Sequence, residues 1–279
     1  MTDTDKAFTG SIPVLYDRYL GPLLFEPYAA DIARRLSGMT EGRILETAAG
    51  TGIVTRALAD VLARSVEIVA TDLNQAMLDH AAAHVSDSRI VWRQADAQNL
   101  PFEDGMFDVA VCQFGVMFFP DKSAGYREAL RVLKPGGRLV FSVWDRIAAN
   151  EFADVVSSAV ATCFPDDPPG FLARAPYGYH DVARVRDELR AAGFTAVSIE
   201  TIEHRSRAAK PTDPAIGYCQ GSPLRAEIEA RDSGRLAAVT KAAADAIAAR
   251  FGAGPVEGRI RAHVITATRR SGTHPLAGC

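Results

Sequence analysis

"ILETAAGTG", residues 44–52, decides how this chain folds. Ile44 and Leu45 run into Glu46, and then into small residues that end with Gly50 and Gly52. The stretch that follows, "GIVTRALADVLA", repeats its apolar residues at helical spacing. An apolar run, a glycine loop and an amphipathic helix in succession predict a strand turning tightly into a helix. Glycine allows the positive φ angles of such a turn and a close backbone approach to a ligand, while the helix start offers free N–H groups to anions. Glu46 is the anomaly, because a carboxylate at the mouth of that loop would repel a phosphate.

Working outward, the same alternation continues. "SVEIVATD", "RIVWRQAD", "FDVAVCQ" and "GRLVFSVW" read as further strands, with helices between them from Asn74 and Lys122. Their nearly continuous apolar character suits strands covered on both faces, and regular strand–helix–strand order implies right-handed crossovers. Two later candidates, "FTAVSIETIE" ending at Glu203 and "RIRAHVITATRR" from Arg259, bring the total to seven, the last expected antiparallel at the far side of the sheet. The fold class is therefore α/β, a doubly wound and mostly parallel seven-stranded sheet with helical cap insertions at about 149–181 and 205–258. The core domain spans 41–270, a helical preface with Tyr16, Tyr19, Phe25 and Tyr28 occupies 1–40, and 271–279 forms a tail.

Composition narrows the function classes. A net charge of -3 over 279 residues leaves no global positive field for nucleic acid or an anionic membrane. The one basic stretch, "HRSRAAK" at 204–210, reads as a solvated turn rather than a phosphate patch. Cys112, Cys163, Cys219 and Cys279 form no CxxC pair, which suits reduced thiols in a cytoplasmic protein. "MTDTDKAFTG" lacks the pattern of a secretory signal, and no apolar run is long enough to span a bilayer. His80 and His84 stand four residues apart like zinc ligands, yet no Glu follows His80 and no third ligand is evident, so no metal is expected.

A dinucleotide site is the first reading to weigh. "GTGIVT" partly fits G-x-G-x-x-G, and Asp72 follows Gly52 at the distance where an acid would hold ribose hydroxyls. Thr55 replaces the third glycine, however, and Glu46 is an acid too many for a pyrophosphate. A nicotinamide-dependent oxidoreductase stays open as the alternative.

Taken together, "ILETAAGTG", "VATDLNQAML", "QADAQNLPFEDGMFDVAVCQFG" and "LRVLKPGGRLVFSVW" resemble the successive motifs of class I S-adenosylmethionine-dependent methyltransferases over residues 42–144. The resemblance is in particular to the type 11 group that includes the ubiquinone/menaquinone-biosynthesis enzymes, with "YDRYLGPLLFEPYA" similar to their N-terminal lid. It implies a Rossmann-like methyltransferase fold and S-adenosyl-L-methionine as cofactor. By position, Glu46 would serve the methionine ammonium, with Ala48, Gly50 and Gly52 around that moiety and Tyr19 above it in the lid. Asp72 would accept both ribose hydroxyls, its other reading being an N-cap for the helix at Asn74. Leu73 and Met77 would touch the adenine face, and Asp96, Ala97 and Gln98 would grip its edge unless they form a bare turn. Gln113, Phe114 and Gly115 would lie beneath the methyl, although such aromatics equally suit a core. Ala48 departs from the family's first loop glycine, and binding is expected to tolerate it if its φ stays negative.

Methyl transfer from a sulfonium is an in-line displacement that needs alignment and little water, and no covalent enzyme intermediate. A base helps only with a phenol, enol or acidic carbon; the candidates are His180, Tyr177 and Tyr179 in "APYGYH", with His180 equally explained as a helix entry. "CQFG" stands where nucleobase amino methyltransferases carry a D/N-P-P-Y motif, which argues against a nucleic-acid partner. Phe152, Phe164, Phe171, Tyr177, Tyr179 and Tyr218 in the cap suggest an apolar or aromatic small-molecule acceptor. A protein that binds the cofactor only to regulate a partner is a third possibility, one that would lack an acceptor-sized cavity.

Overall fold

In the computed structural model, residues 12–271 are described. The N-terminal decapeptide, Cys279 and nearly all of the tail lie outside them. Seven strands form one sheet: β1 (Gly42–Thr47), β2 (Val66–Asp72), β3 (Ile90–Gln94), β4 (Phe107–Gln113), β5 (Leu133–Trp144), β6 (Phe194–Ala208) and β7 (Val256–Arg269), in the order β3-β2-β1-β4-β5-β7-β6. The first five are parallel, with Ile44 opposite Ile68 on one side and Val109 on the other. Since strand order reverses between β1 and β4, the crevice beyond their carboxyl ends is where a ligand belongs.

β7 is antiparallel as expected, but it sits between β5 and β6 rather than at the margin. The edge strand β6 is also longer than its sequence suggested and absorbs most of 204–210. Three side chains explain this. Ser206 is buried with its hydroxyl donating to Leu23 O (2.7 Å), His204 lies edge-on to the Tyr28 ring, and Arg207 pairs with Glu257 on β7. Most of the basic stretch is thus partnered strand rather than a solvated turn.

Helix boundaries follow local chemistry. Asp121 accepts from Ala124 N to start Lys122–Val132, and Asp181 accepts from Ala183 N and Arg184 N to start Val182–Ala192, which ends on Gly193 at φ 109°. Ahead of the sheet, Tyr16–Phe25 forms a wide, π-type helix containing Pro22, whose missing N–H would interrupt an ordinary α ladder. This wide segment roofs the crevice. The helix behind it, Glu26–Leu36, packs into the core through Tyr28, Ile32 and Leu36, so only the front of the preface is placed as a lid.

The cap consists of Glu151–Cys163, Phe171–Arg174, Thr212–Gln220, Leu224–Arg231 and Leu236–Phe251. It shares one continuous apolar core with the sheet, in which Phe152, Phe171 and Ile228 join Phe141 and Ile44. No helix among the described residues is long and apolar enough to cross a membrane.

Candidate active site

The loops leaving β1, β2, β3 and β4 enclose a cleft of about 760 Å³. Ala48, Gly50, Asp72, Leu73, Met77, Asp96, Ala97, Gln98, Gln113 and Phe114 all line it, so ten positions read from separate motifs converge on one wall. A recess of about 310 Å³ adjoins it through Ala48, Gly50 and Gln113, and Glu46 lies there with Thr51.

Glu46 is 1% exposed and accepts from Thr55 Oγ1 at 2.6 Å. Thr55, the residue that breaks the dinucleotide pattern, therefore holds the acid. Burial raises the Glu46 pKa to about 8, opposed by the Thr55 bond and reinforced by nearby Asp72. Asp72, also buried, is raised by the same desolvation. Its Oδ2 accepts from Gly50 N (2.9 Å) and its Oδ1 from Asn74 N (2.8 Å). The helix that follows, Gln75–His84, has Asn74 at its N-cap position with no side-chain capping bond, and Asp72 accepts from Asn74 N and Gly50 N, so it ties the two loops together. Asn74 Nδ2 also donates to Oδ1 at 3.4 Å, so of the about four acceptor sites of a carboxylate about one stays open to a ligand, on Oδ2.

Two further features suit a cationic, hydrogen-bonding ligand. Gln113 donates through Nε2 to Phe25 O at 3.2 Å, and its buried Oε1 has no partner. A buried acceptor left unsatisfied costs about 1–3 kcal/mol, a penalty that a ligand N–H removes. Gly50, at φ 57°, has open space where a Cβ would stand. Glu46, Asp72 and an orphaned amide oxygen around one crevice thus fit a ligand that carries an ammonium and sugar hydroxyls.

Asp96 forms a turn and still faces the cleft: its Oδ1 accepts from Gln98 N at 2.9 Å, and Gln98 Oε1 accepts from Asp121 N. Leu73 is 45% exposed beside it, whereas Met77 is buried. Phe114 stacks on Trp144 with centroids 3.8 Å apart and planes 4° from parallel, and Tyr28 meets both edge-on.

Several expectations need correction. Ala48 does not keep a negative φ; it stands at 54°, in the left-handed region that favours glycine. Its methyl group is accommodated because residue 115 is glycine, where an added Cβ would lie 2.5 Å from the Ala48 Cβ. Gly52, at φ 81°, serves packing rather than the cleft: a Cβ there would meet Ala81 and Trp92 at 3.1 Å. Tyr19 lines neither cleft nor recess and lies under the Arg18 guanidinium, while Tyr16 borders both. A sequence does not announce a π-type helix, and the wider turn changes which tyrosine faces inward. His180 is exposed, its Nδ1 2.9 Å from Tyr177 O, and outside the cavities. Tyr179 is turned away too, its hydroxyl between Tyr126 and Glu188.

Tyr177 alone of the base candidates reaches the site. It lines a second cavity, of about 450 Å³, that meets the first at Tyr16, Phe114 and Phe118. Phe25, Trp144, Phe171 and Tyr218 add to its mainly aromatic wall, which Leu20, Leu24, Leu172, Pro176, Ser222 and Pro223 complete. Among the described residues no carboxylate, histidine or lysine lines it. Cys112 is buried on β4 with its thiol pushed up to about 11 by desolvation, which makes it inert. His80 and His84 stack at 4.2 Å, with His80 Nε2 3.4 Å from Asp17 Oδ2.

Comparison with known proteins matches this geometry. A family profile described as a methyltransferase domain covers residues 45–141. The "Ubiquinone/menaquinone biosynthesis C-methyltransferase UbiE" of Idiomarina loihiensis is 30% identical over 192 residues, covering 64% of this chain and 75% of that protein. The protein of the same name from Saccharophagus degradans is 39% identical over 110 residues; there the alignment covers 38% of this chain and 44% of the relative, less than half its length. Among solved structures, Haemonchus contortus phosphoethanolamine N-methyltransferase 2 in complex with S-adenosyl-L-methionine superposes with a TM-score of 0.62 at 16% identity, covering 97% of this chain and 61% of that one, which establishes the fold.

Proposed function

Because this chain belongs to the S-adenosylmethionine-dependent methyltransferases of the ubiquinone/menaquinone-biosynthesis type, we propose that it transfers a methyl group from that cofactor to an apolar or aromatic small molecule held in the aromatic cavity. The observation that carries this reading is the meeting of two unlike spaces at Tyr16, Phe114 and Phe118: an acid-lined cleft and an aromatic cavity. A protein that only sensed the cofactor would have no use for the second space.

When bound, the cofactor supplies an electrophilic methyl group on a sulfonium. Glu46 and Gln113 would accept from its ammonium, the N–H groups at the start of Ile53–Val61 would meet its carboxylate, and Asp72 would take the ribose hydroxyls. Asp96 and Ala97 would hold the adenine edge, with Met77 and Leu73 against its face. Phe114 and Tyr16 stand where the two cavities join, and their rings would keep water from the line of attack and favour the cation. Since among the described residues no carboxylate, histidine or lysine lines the aromatic cavity, the acceptor would bring its own nucleophilic electron pair, as an electron-rich ring carbon or an already ionised oxygen does. Carbon as the accepting atom, which the relatives' names carry, agrees with that.

Thermal unfolding with S-adenosylhomocysteine and with NAD, each at about 100 times its dissociation constant, separates this reading from the nicotinamide alternative, since a specific ligand at that excess adds about 2.7 kcal/mol. Stabilisation by the first alone is expected; stabilisation by NAD alone would overturn the assignment. Incubation with S-adenosylmethionine and a panel of phenols, quinols, amines and fatty acids, read by product mass, then tests the acceptor class, with a gain of one methyl group expected on a ring-bearing member.

A further inference from the structure

Two tyrosines of the aromatic cavity's wall meet at their hydroxyl groups. Tyr177 and Tyr218 are each 3% exposed, and their hydroxyl oxygens are 3.3 Å apart. They come from the two cap insertions, Tyr177 just after Phe171–Arg174 and Tyr218 from Thr212–Gln220. Two hydroxyls hold two protons and four lone pairs, and a mutual hydrogen bond consumes one of each. Among the described residues neither hydroxyl has another protein partner. One buried O–H is therefore left without an acceptor in a mainly apolar space, an arrangement that burial penalises unless something enters to accept it. Nearby Ser222 does not fill the role: its Oγ donates to Tyr218 O at 2.6 Å and accepts from Leu224 N, and it is bonded to neither tyrosine hydroxyl. Burial raises the pKa of both phenols, so the pair keeps its protons and acts as a donor rather than a base.

We infer that the Tyr177–Tyr218 hydroxyl pair is the polar anchor of the acceptor cavity, donating a hydrogen bond to an oxygen substituent on an otherwise apolar, ring-bearing acceptor. The inference rests on the aromatic cavity being the acceptor site, and it makes these two tyrosines positioning residues that select oxygen-bearing molecules over plain hydrocarbons. The pair polarises as a chain, Tyr–OH to Tyr–OH to ligand oxygen, so losing one member weakens the anchor and losing both abolishes it.

The test is a titration of 2-naphthol and naphthalene onto the protein, with and without saturating S-adenosylhomocysteine, followed by calorimetry or fluorescence. Wild type is expected to bind the naphthol roughly 5- to 10-fold more tightly than the hydrocarbon, the worth of one net hydrogen bond. Tyr177→Phe and Tyr218→Phe should each shrink that ratio and the double variant should bring it to about one, with naphthalene affinity unchanged because the rings remain. S-adenosylhomocysteine affinity should be unaltered in all three variants, which reports that they fold. A ratio that survives the double substitution, or a wild type that binds naphthol no better than naphthalene or binds neither, overturns the anchor. Failure of wild type to bind S-adenosylhomocysteine would count instead against the methyl-transfer reading, and the titrations without it would still decide the anchor.

Discussion

Gly115→Ala puts the most particular claim of this site at risk, namely that Ala48 is possible only because residue 115 lacks a side chain. A Cβ at position 115 would fall 2.5 Å from the Ala48 Cβ and 2.7 Å from the Cys112 sulfur. Carbon atoms prefer about 3.5–4.0 Å, so the overlap is about an ångström, and overpacking of that kind costs about 1–3 kcal/mol. Ala48 cannot easily withdraw, because its left-handed φ of 54° is held by the two residues that follow it, where Ala49 N donates to Thr71 O and Gly50 N to Asp72. In a chain of this size each kcal/mol moves the melting temperature by about 2–4 °C. Ala48→Gly alone should be neutral to mildly stabilising, since it releases about 1–2 kcal/mol of left-handed strain against about 0.5–1 kcal/mol of glycine entropy. In the double variant the Cβ–Cβ collision disappears and only the softer approach to Cys112 remains. A double-mutant cycle by urea unfolding should therefore return a favourable coupling of about 1–2 kcal/mol, within the range usual for residues in contact. S-adenosylhomocysteine affinity should fall in Gly115→Ala and largely return in the double variant. A Gly115→Ala cost that is the same with alanine or glycine at position 48 would refute the steric argument.

Other expectations concern charge and placement. Glu46 carries a folded-state pKa of about 8 against an ordinary carboxylate value of 4.5, so its contribution to stability is full below about 4.5 and is lost as pH rises through about 8. A cationic ligand favours the ionised form, so at pH 7 calorimetry in buffers of different ionisation enthalpy should show nearly one proton released on cofactor binding, and Glu46→Gln should abolish that release. Asp72→Ala should weaken S-adenosylhomocysteine binding by a few kcal/mol, given about 1.5–3 kcal/mol per charged hydrogen bond, and near-wild-type affinity in a direct titration would exclude the ribose role. Tyr16→Ala should impair cofactor binding whereas Tyr19→Ala should not, as equilibrium dialysis would show. His180→Ala should leave methyl transfer within about twofold of wild type, as expected of an exposed side chain away from the chemistry, and a profile of rate against pH that lost a limb would show otherwise.

The sheet and most of the residues that line the cleft at its strand tips were legible in the sequence because both depend on local signals. Apolar runs ended by acids or glycines mark strand tips, and strand tips on one side of a parallel sheet must meet, so Glu46, Asp72, Asp96 and Gln113 could be placed without knowing any distance. What escaped depends on packing between distant segments. No local pattern says that the widened helix around Pro22 turns Tyr16 inward in place of Tyr19, or that the methyl of Ala48 nests over Gly115 far along the chain. The span of β6 was underestimated for a related reason: the polar residues of 204–208 look like a turn until Glu257, Leu23 and Tyr28 are seen to partner them. In the cap, "APYGYH" offered three candidate side chains, and only the tertiary fold distinguishes Tyr177, the one that lines the aromatic cavity.

The place of β7 within the sheet has a consequence for how the molecule is made. Its partners on both flanks, β5 and β6, precede it along the polypeptide, and β6 touches the sheet through β7 alone. During synthesis the longest edge of the sheet must therefore wait, its amides unpaired, until Val256–Arg269 has left the ribosome and slid between them. Tyr218 and Pro223, two residues of the aromatic cavity's wall, lie on the segment between β6 and β7, so that wall is finished only as β7 emerges, whereas every described residue that lines the cleft precedes β5.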